Sequence, residues 1–281
     1  MGKEAPPSNN EKAFILDALK QGLRVDGRGP HDVRKTRIEL GPQSGHAEVR
    51  LGKTRVTANV SCEIIRPRAN APTEGNVQFN TDFSPMASPA FEEGSLSEEE
   101  VLVSRLLEKA LRQSRAIDTE GLCIVAGEKV WQLRVDLRVL DHEGNIVDCA
   151  CIAAIAALLH FRRPDVTVTG ETVTIHTVEE RNPIPLSVHH IPICVTFAFF
   201  DDGERQVVDP NFLEEQIQVG EMTFVVNKHR EICTLSKAGG VPLAATQVLG
   251  CANIAAAKAE DITELIKEAL AKHAPPKADL V

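Results

Sequence analysis

Aromatic side chains are scarce in this sequence, which has no tyrosine, one tryptophan and ten phenylalanines among 281 residues. Proteins that bind single-stranded nucleic acid by stacking its bases need several aromatic platforms. The scarcity therefore argues against a stacking mode of the RRM or OB type. The net charge of −9 also excludes a molecule whose whole surface attracts nucleic acid. Any such contact must come from a local basic patch or from partner chains.

Paired cysteine motifs and long apolar stretches are also missing. The seven cysteines show no Cys-x-x-Cys spacing, and most of them lie inside apolar segments. Buried free thiols in a reducing compartment explain this pattern better than a disulfide framework does. The longest apolar run, 149–159, is too short to span a bilayer, and no signal-peptide pattern opens the chain. With 43% hydrophobic residues, a folded, soluble intracellular protein is expected.

Hydrophobic periodicity predicts strands and helices in alternating groups. The first part is predicted to contain, in chain order, a loose polar tail at 1–10, a short amphipathic helix ending at Gly22, a β-hairpin turning at Gly52-Lys53, a helix at 95–118 capped by Ser97, a half-buried strand at 132–139 and a helix at 149–161 that is buried on every side. Strands therefore precede the buried helix in this part of the chain.

The second part repeats this order of strands followed by a helix. It is predicted to contain a hairpin at 162–177, a proline-marked crossover at 180–192, a very apolar strand at 193–200, further strands near 206–209, 222–227 and 231–237, and a helix at 244–272 interrupted near Gly250. Together they favour one α+β domain at 11–272, with similar halves at about 11–180 and 190–272 and a tail at 273–281. The strand at 193–200 is apolar enough for either the core or an interface.

A glycine turn joins the half-buried strand to the buried helix. A strand, a tight turn and a helix N-terminus favour an anion such as phosphate, because free backbone N–H groups and the helix dipole point toward it. This turn instead carries Asn145, Ile146 and Val147, and then the acid Asp148. We expect Asp148 to cap the first helical N–H groups, which stabilises a helix by about 1 kcal/mol.

Four segments carry a resemblance to a known family: LRVDGRGPHDVR, MASPAFEEG, EKVWQLRVDLRVLDHEGNIVDCACIAAIAAL and VVDPNFLEEQ. They resemble the RNase PH-type subunits of the RNA exosome ring, over about 11–272. NKHREICTLSKAGG and AEDITELIKEAL narrow the resemblance to a eukaryotic ring subunit. It implies the RNase PH fold, with two pseudo-symmetric βαβα halves in one compact domain. It also implies a chemistry to test, the phosphorolysis of RNA from its 3′ end.

Active members of that family share a phosphate site and a substrate arginine, and this chain departs from both. The phosphate site has Gly, then Ser or Thr, then Arg, whereas this chain has Gly144, Asn145 and Ile146. The substrate arginine lies in Leu-Pro-Arg-Ala, where this chain has Ser-Pro-Met-Ala with Met86 in place of the arginine. Losing one preorganised donor costs about 10²- to 10³-fold in rate. The resemblance therefore implies a catalytically silent chain, with no catalytic residue and no cofactor.

The third shared feature is a Glu-Asp pair followed six residues later by Asp, which holds a metal ion or moves a proton. The matching positions here are Glu214, Glu215 and Glu221. The carboxylates are kept, but Glu215 and Glu221 are each one methylene longer than the aspartates they replace. We interpret them as surface acids without a metal. A weak metal site that includes the nearby Asp209 is the alternative. His189 and His190 lack the neighbouring ligands that a metal site needs.

A basic helix is the candidate RNA-binding element. Arg105, Lys109 and Arg112 are spaced by four and three residues, which places them on one helical face, and Arg115 follows. The resemblance implies that such residues face a pore and guide single-stranded RNA. A solvated face, paired with glutamates of the same helix, is the alternative. Arg66 and Arg68 form a second candidate patch.

The resemblance also implies partners and a place in the cell. It predicts a non-catalytic subunit that forms a heterodimer with another RNase PH-like subunit within a six-membered exosome ring, beneath RNA-binding cap subunits. Such a ring processes and degrades single-stranded RNA in the nucleus, including the nucleolus, and in the cytoplasm. Two alternatives stay open: an active phosphate-dependent 3′-to-5′ exoribonuclease, and a pure assembly scaffold without RNA contact.

Overall fold

The computed structural model describes residues 6–91, 97–169, 172–177 and 180–273. The predicted tail at 273–281 lies outside these ranges apart from His273, and so do the first five residues of the predicted tail at 1–10. Helix α1 (Asn9–Lys20) begins inside that N-terminal tail. The reason is a capping box: the Glu11 N–H donates to the Ser8 hydroxyl at 3.3 Å, and the Ser8 N–H donates to the Glu11 carboxylate at 2.7 Å.

The first sheet contains six strands in the order β1-β2-β3-β6-β4, with β5 paired to β6. They are β1 (Thr36–Leu40), β2 (His46–Leu51), β3 (Thr54–Ile65), β4 (Asn76–Phe83), β5 (Cys123–Val125) and β6 (Lys129–Asp141). Strand β4 is parallel to β6, and the other pairs are antiparallel. The predicted two-residue hairpin loop at Gly52-Lys53 is confirmed, because Leu51 pairs with Thr54 across it.

Strand β6 has the two-sided character that its alternation predicts. Leu133, Val135 and Leu137 are buried, whereas Arg134 and Arg138 are exposed on the opposite face. The sheet therefore has one face packed against the core and one polar face.

Helix α3 (Ile146–His160) lies between the two sheets, where it contacts β2, β3 and β11. Its residues from Cys149 to Leu158 are all buried, as a helix that is apolar on every side predicts. The second sheet is antiparallel and has the order β12-β11-β13-β14. Its strands are β11 (Ile193–Phe200), β12 (Arg205–Val208), β13 (Gly220–Val226) and β14 (Ile232–Ser236). All residues of β11 are buried within this chain, so it is a core strand.

Three more helices and two small strand pairs complete the described fold. They are α2 (Glu98–Leu107), which continues as a π-helical turn at Glu108–Gln113, α4 (Phe212–Ile217), α5 (Ala245–His273), the pair β7 (Arg162–Arg163) with β10 (Ile184–Pro185), and the predicted hairpin β8 (Val166–Thr169) with β9 (Thr172–Ile175). Ser97 caps α2 as predicted, since its hydroxyl accepts the Glu100 N–H at 3.1 Å.

Helix α5 is continuous, so the predicted interruption at Gly250 is wrong. A single glycine costs a helix about 1 kcal/mol, and this cost is offset by a buried face that includes Cys251, Ala255, Ala259 and Ile262. All seven cysteines are free thiols, as predicted. Among the described helices, none combines the length and the apolar character that crossing a membrane requires.

Candidate functional site

The turn between β6 and α3 packs directly against the start of α4. Gly144 has a φ of +85°, and a Cβ there would lie 2.5 Å from the backbone nitrogen of Phe212, so glycine is required. The Phe212 N–H donates a 3.1 Å hydrogen bond to the Glu143 carbonyl. Asn145 follows with a left-handed φ of 54° and caps α3, because its side-chain oxygen accepts the Asp148 N–H at 3.4 Å. The turn is thus held in one compact shape.

The backbone N–H that would face an anion is bonded to an acid of this chain. The Asn145 N–H donates to Glu215 Oε1 at 2.6 Å. Burial raises the pKa of Glu215 to about 8, against the lowering effect of the Asn145 N–H, and the nearby Glu221 carboxylate raises it further. A phosphate could reach this N–H only by displacing the Glu215 side chain.

Asp148 does not cap α3, so that prediction is wrong, and Asn145 is the cap instead. The Asp148 carboxylate turns toward β11, where it accepts the Thr196 N–H at 3.0 Å and the Thr196 hydroxyl at 2.8 Å. It also accepts an amide hydrogen of Asn145 at 2.8 Å. Burial raises the pKa of Asp148 to about 7, although these donors lower it. Asp148 is a buried link between α3 and the second sheet.

Asp209 is the centre of a buried ion network beneath the turn. Its side chain is 1% exposed and accepts Arg34 Nη2 at 2.7 Å, Arg34 Nε at 2.9 Å and Arg28 Nη1 at 2.9 Å. Burial alone would raise the pKa of Asp209, but the Arg34 guanidinium holds it below its usual range. Arg34 also donates to the carbonyls of Glu143 at 2.8 Å and Gly144 at 3.0 Å. This cation therefore supports the turn from inside.

The acids expected at the surface differ in burial. Glu214 is 1% exposed and bonded through both oxygens to Arg24, with Nε 2.9 Å from Oε1. It also accepts the Asn211 N–H at 2.8 Å, which caps α4. Glu215 is partly buried, and Glu221 is the one exposed member of the three. The surface interpretation is therefore wrong for Glu214 and Glu215.

Two of these acids, Glu214 and Asp209, are poorly placed to bind a metal ion. The carboxylates of Glu214 and Asp209 are taken up by arginines, and a bound cation would have to displace those partners. Within the described residues, no group of three or more His, Cys, Asp and Glu side chains has an arrangement that could hold a metal ion.

Glu215 and Glu221 line a cavity of about 470 Å³ between α2, the start of α3, α4 and β13. Phe83, Phe91 and Phe212 lie in its wall, and the described residues around it include no lysine or arginine. Met86, at the position of the family's substrate arginine, lies outside this cavity and is 80% exposed. The structure thus brings the turn at Ile146 and the acids Glu215 and Glu221 to one cavity, and leaves Met86 apart from them.

The three predicted RNA-binding residues lie on α2 and its π-helical extension. Arg105 and Lys109 are exposed, whereas Arg112 is partly buried and paired with the Glu108 carboxylate. Arg105 lines a groove beside the middle of β4, and Arg112 lines a cavity of about 160 Å³ beside the start of that strand. Lys109 lines neither. From Glu108 to Gln113 the helix is π-helical, so Lys109 and Arg112 lie where the helix departs from the 3.6 residues per turn used in the prediction.

Two candidates remain: the patch formed by Arg66 and Arg68, and the histidine pair in the crossover. Arg68 lines the same small cavity as Arg112 and donates to the Asn76 side chain at 2.8 Å. Arg66 is exposed. His190 contacts the Cys233 thiol at 3.7 Å. Across the described residues, no His, Cys, Asp and Glu side chains form a metal-binding group.

Sequence reasoning missed the arginines that hold the site. Arg24, Arg28 and Arg34 belong to a segment that carried the family resemblance, but no role was predicted for them. Arg34 is separated from Asp209 by 175 positions, so no local spacing connects the pair. For the acid that Arg24 binds, one signal was available. Asn211 is followed three residues later by Glu214, which is the pattern of a helix capping box and predicts a structural role for Glu214.

Comparisons with known proteins agree with the overall fold. Residues 32–164 match domain 1 of the 3′ exoribonuclease family, described as RNase PH, and residues 190–258 match its domain 2. A chain of the structure entitled "archaeoglobus fulgidus exosome with RNA bound to the active site" superposes with a TM-score of 0.80 at 28% identity. The match covers 91% of this chain and 97% of the archaeal one. The predicted α+β fold of the RNase PH type is thereby confirmed.

Curated relatives carry the name of an exosome component. This chain is 55% identical to Exosome complex component RRP45 of Rattus norvegicus over 268 residues, which cover 95% of this chain and 61% of that relative. It is 46% identical to Exosome complex component rrp45 of Schizosaccharomyces pombe, over 96% of this chain and 93% of the yeast protein. The chain therefore spans 61% of the length of the rat relative and nearly all of the yeast one.

Proposed function

This chain belongs to the 3′ exoribonuclease family of RNase PH proteins, as its sequence predicted, and we propose that it is a catalytically silent subunit of an exosome core ring. In this role it forms a heterodimer with another RNase PH-like subunit and helps to close a six-membered ring beneath RNA-binding cap subunits. The names of its relatives and its likeness to an archaeal exosome chain support this role. The same role places it in the nucleus, including the nucleolus, and in the cytoplasm.

The contact that best supports catalytic silence is the hydrogen bond from the Asn145 N–H to Glu215. Phosphorolysis needs inorganic phosphate gripped by cations and free N–H groups. Here the N–H already has an acidic partner, Ile146 replaces the arginine, and Arg34 is bound to Asp209. The turn therefore lacks the cation and the free N–H that attract phosphate.

We expect the purified chain to release no nucleoside diphosphates from single-stranded RNA in the presence of phosphate and Mg²⁺. The missing arginine and the occupied N–H should each lower the rate by about 10²- to 10³-fold relative to an active family member. Chromatography of the products measures this release, with an active RNase PH enzyme as the positive control. Phosphate-dependent release that disappears in Glu215→Gln and Glu221→Gln variants would favour the alternative of an active exoribonuclease.

RNA contact is proposed for Arg105, Lys109 and Arg112. Three phosphate contacts give a slope of about −2 in the logarithm of affinity against the logarithm of salt concentration. Reversing two charges in Arg105→Glu/Arg112→Glu should make the slope of the assembled ring shallower by about 1.4. Titration of the ring with fluorescent RNA at several salt concentrations measures this change.

The same double variant separates the channel role from the pure scaffold. A variant ring that assembles, with weaker RNA binding, supports the channel role. A ring that falls apart in native mass measurement supports the scaffold, in which the helix contacts another protein. Arg230→Glu/Lys267→Glu, a double reversal at exposed positions outside this helix, controls for the change in net charge.

A further inference from the structure

The cavity at the former catalytic position has a continuous aromatic wall. Phe83 contacts Phe91 with ring centroids 4.8 Å apart, Phe91 contacts His142 at 5.6 Å, and His142 contacts Phe212 edge-on at 5.1 Å. All four rings line the cavity of about 470 Å³. Ligand pockets commonly have volumes of about 300–1,000 Å³ and apolar walls with a few polar groups. The cavity therefore has the size and lining of a ligand site.

The carboxylates that line this cavity give it an acidic character. Glu99, Glu215 and Glu221 line it, and no lysine or arginine is among its described lining residues. The side-chain oxygen of Gln218, also in the lining, is buried without a hydrogen-bond partner. A ligand that satisfies these groups must donate hydrogen bonds and carry positive charge. This excludes phosphate-bearing nucleotides, whose charge has the wrong sign.

We propose that this cavity binds an arginine side chain, flanked by apolar residues, from a partner protein. A guanidinium group stacks on aromatic faces, loses little hydration and donates two parallel hydrogen bonds to a carboxylate. The aromatic wall and the carboxylate of Glu215 offer both interactions in one space. A lysine ammonium group would supply the positive charge but could not stack as a planar group on the aromatic wall. This inference concerns a partner protein and does not depend on the proposed contact between RNA and the α2 helix.

Binding should depend on pH, because Glu215 must be ionised to receive the cation. Its pKa is raised to about 8 by burial, with Glu221 and Glu99 raising it and Arg34 lowering it. His142 also lines the cavity. Below pH 8 the cation must displace a proton from Glu215. Affinity should therefore fall by about 10- to 30-fold between pH 8.5 and 6.5.

The test is calorimetric titration of the full chain with the peptide acetyl-Leu-Arg-Leu-amide. The matched control peptide carries citrulline, which has nearly the shape of arginine but no charge. We expect the arginine peptide to bind, and the citrulline peptide and the Glu215→Gln variant each to lower the affinity by about 30-fold or more. Glu264→Gln, on the exposed face of α5, should leave it unchanged.

Three outcomes would overturn the proposal. One is that the arginine peptide does not bind, and another is that it binds no better than the citrulline peptide. The third is binding that Glu215→Gln and Glu221→Gln both leave intact, since the peptide would then sit elsewhere. A competition experiment with guanosine adds a further test. If guanosine displaces the peptide from the wild-type chain only, the site binds a nucleobase and the arginine proposal is overturned.

Discussion

Replacing Asp209 by asparagine should lower the free energy of unfolding by about 3–5 kcal/mol, which is the usual cost of removing one partner from a buried ion pair. The Arg34 guanidinium would stay buried, 9% exposed, without its charge partner. The same guanidinium holds the carbonyls of Glu143 and Gly144. The variant should therefore also loosen the turn that presents Asn145. Urea unfolding at neutral pH measures the loss.

The matched control is Asp82→Asn, the same substitution in an exposed pair with Arg138 at 3.1 Å. Exposed pairs contribute about 0–1 kcal/mol, so this variant should stay close to the wild type. A double-mutant cycle with Arg34→Met completes the experiment, because the two substitutions together should cost less than the sum of the singles. Equal losses in Asp209→Asn and Asp82→Asn would show that the buried network does not stabilise the fold.

Elements with local signals could be predicted from the sequence. Helix α3 is apolar on every side, so its burial follows from composition alone. The hairpin at Gly52-Lys53 follows from alternation on both sides of a two-residue loop, and the start of α2 follows from Ser97 and the acids behind it. In each case the determining residues lie within a few positions of one another.

Contacts between distant segments could not be predicted in this way. Arg24 is bonded to Glu214 across 190 positions, and Arg34 to Asp209 across 175. Acids are usually exposed, so the sequence favoured a surface position for Glu214. The π-helical turn at Glu108–Gln113 also has no local signal in the sequence pattern, which assumes 3.6 residues per turn. The two arginine–carboxylate pairs depend on how the second half of the chain packs against the first.

The acids of the site now have separate roles, although the sequence places them close together. Glu214 and Asp209 are buried and bonded to arginines. Glu215 has no such cation within hydrogen-bonding distance among the described residues. Its bonded partner is the Asn145 N–H. Its charge is therefore costly in the folded state, and this cost can be measured through pH.

Glu215→Gln should remove a loss of stability that the wild-type chain shows as the pH rises. The pKa of this side chain is 4.5 in the unfolded reference and about 8 in the folded chain, chiefly because of burial. Between these values the folded state holds a proton that the unfolded state lacks, so the stabilisation is complete below pH 4.5 and is lost as the pH rises through 8. With allowance for partial exposure, the variant should be more stable than the wild type by about 2–4 kcal/mol at pH 9.

Urea unfolding of both chains at pH 5, 6, 7, 8 and 9 measures this difference. The two curves should converge at pH 5 and diverge toward pH 9, because glutamine keeps the oxygen that accepts the Asn145 N–H but does not titrate. Contributions from Asp148 and from the histidines occur in both chains and largely cancel in the difference. Glu264→Gln should follow the wild type at every pH. Parallel curves for wild type and Glu215→Gln would mean that Glu215 is ionised without cost in the folded chain, and the acid at the turn would then be an ordinary solvated carboxylate.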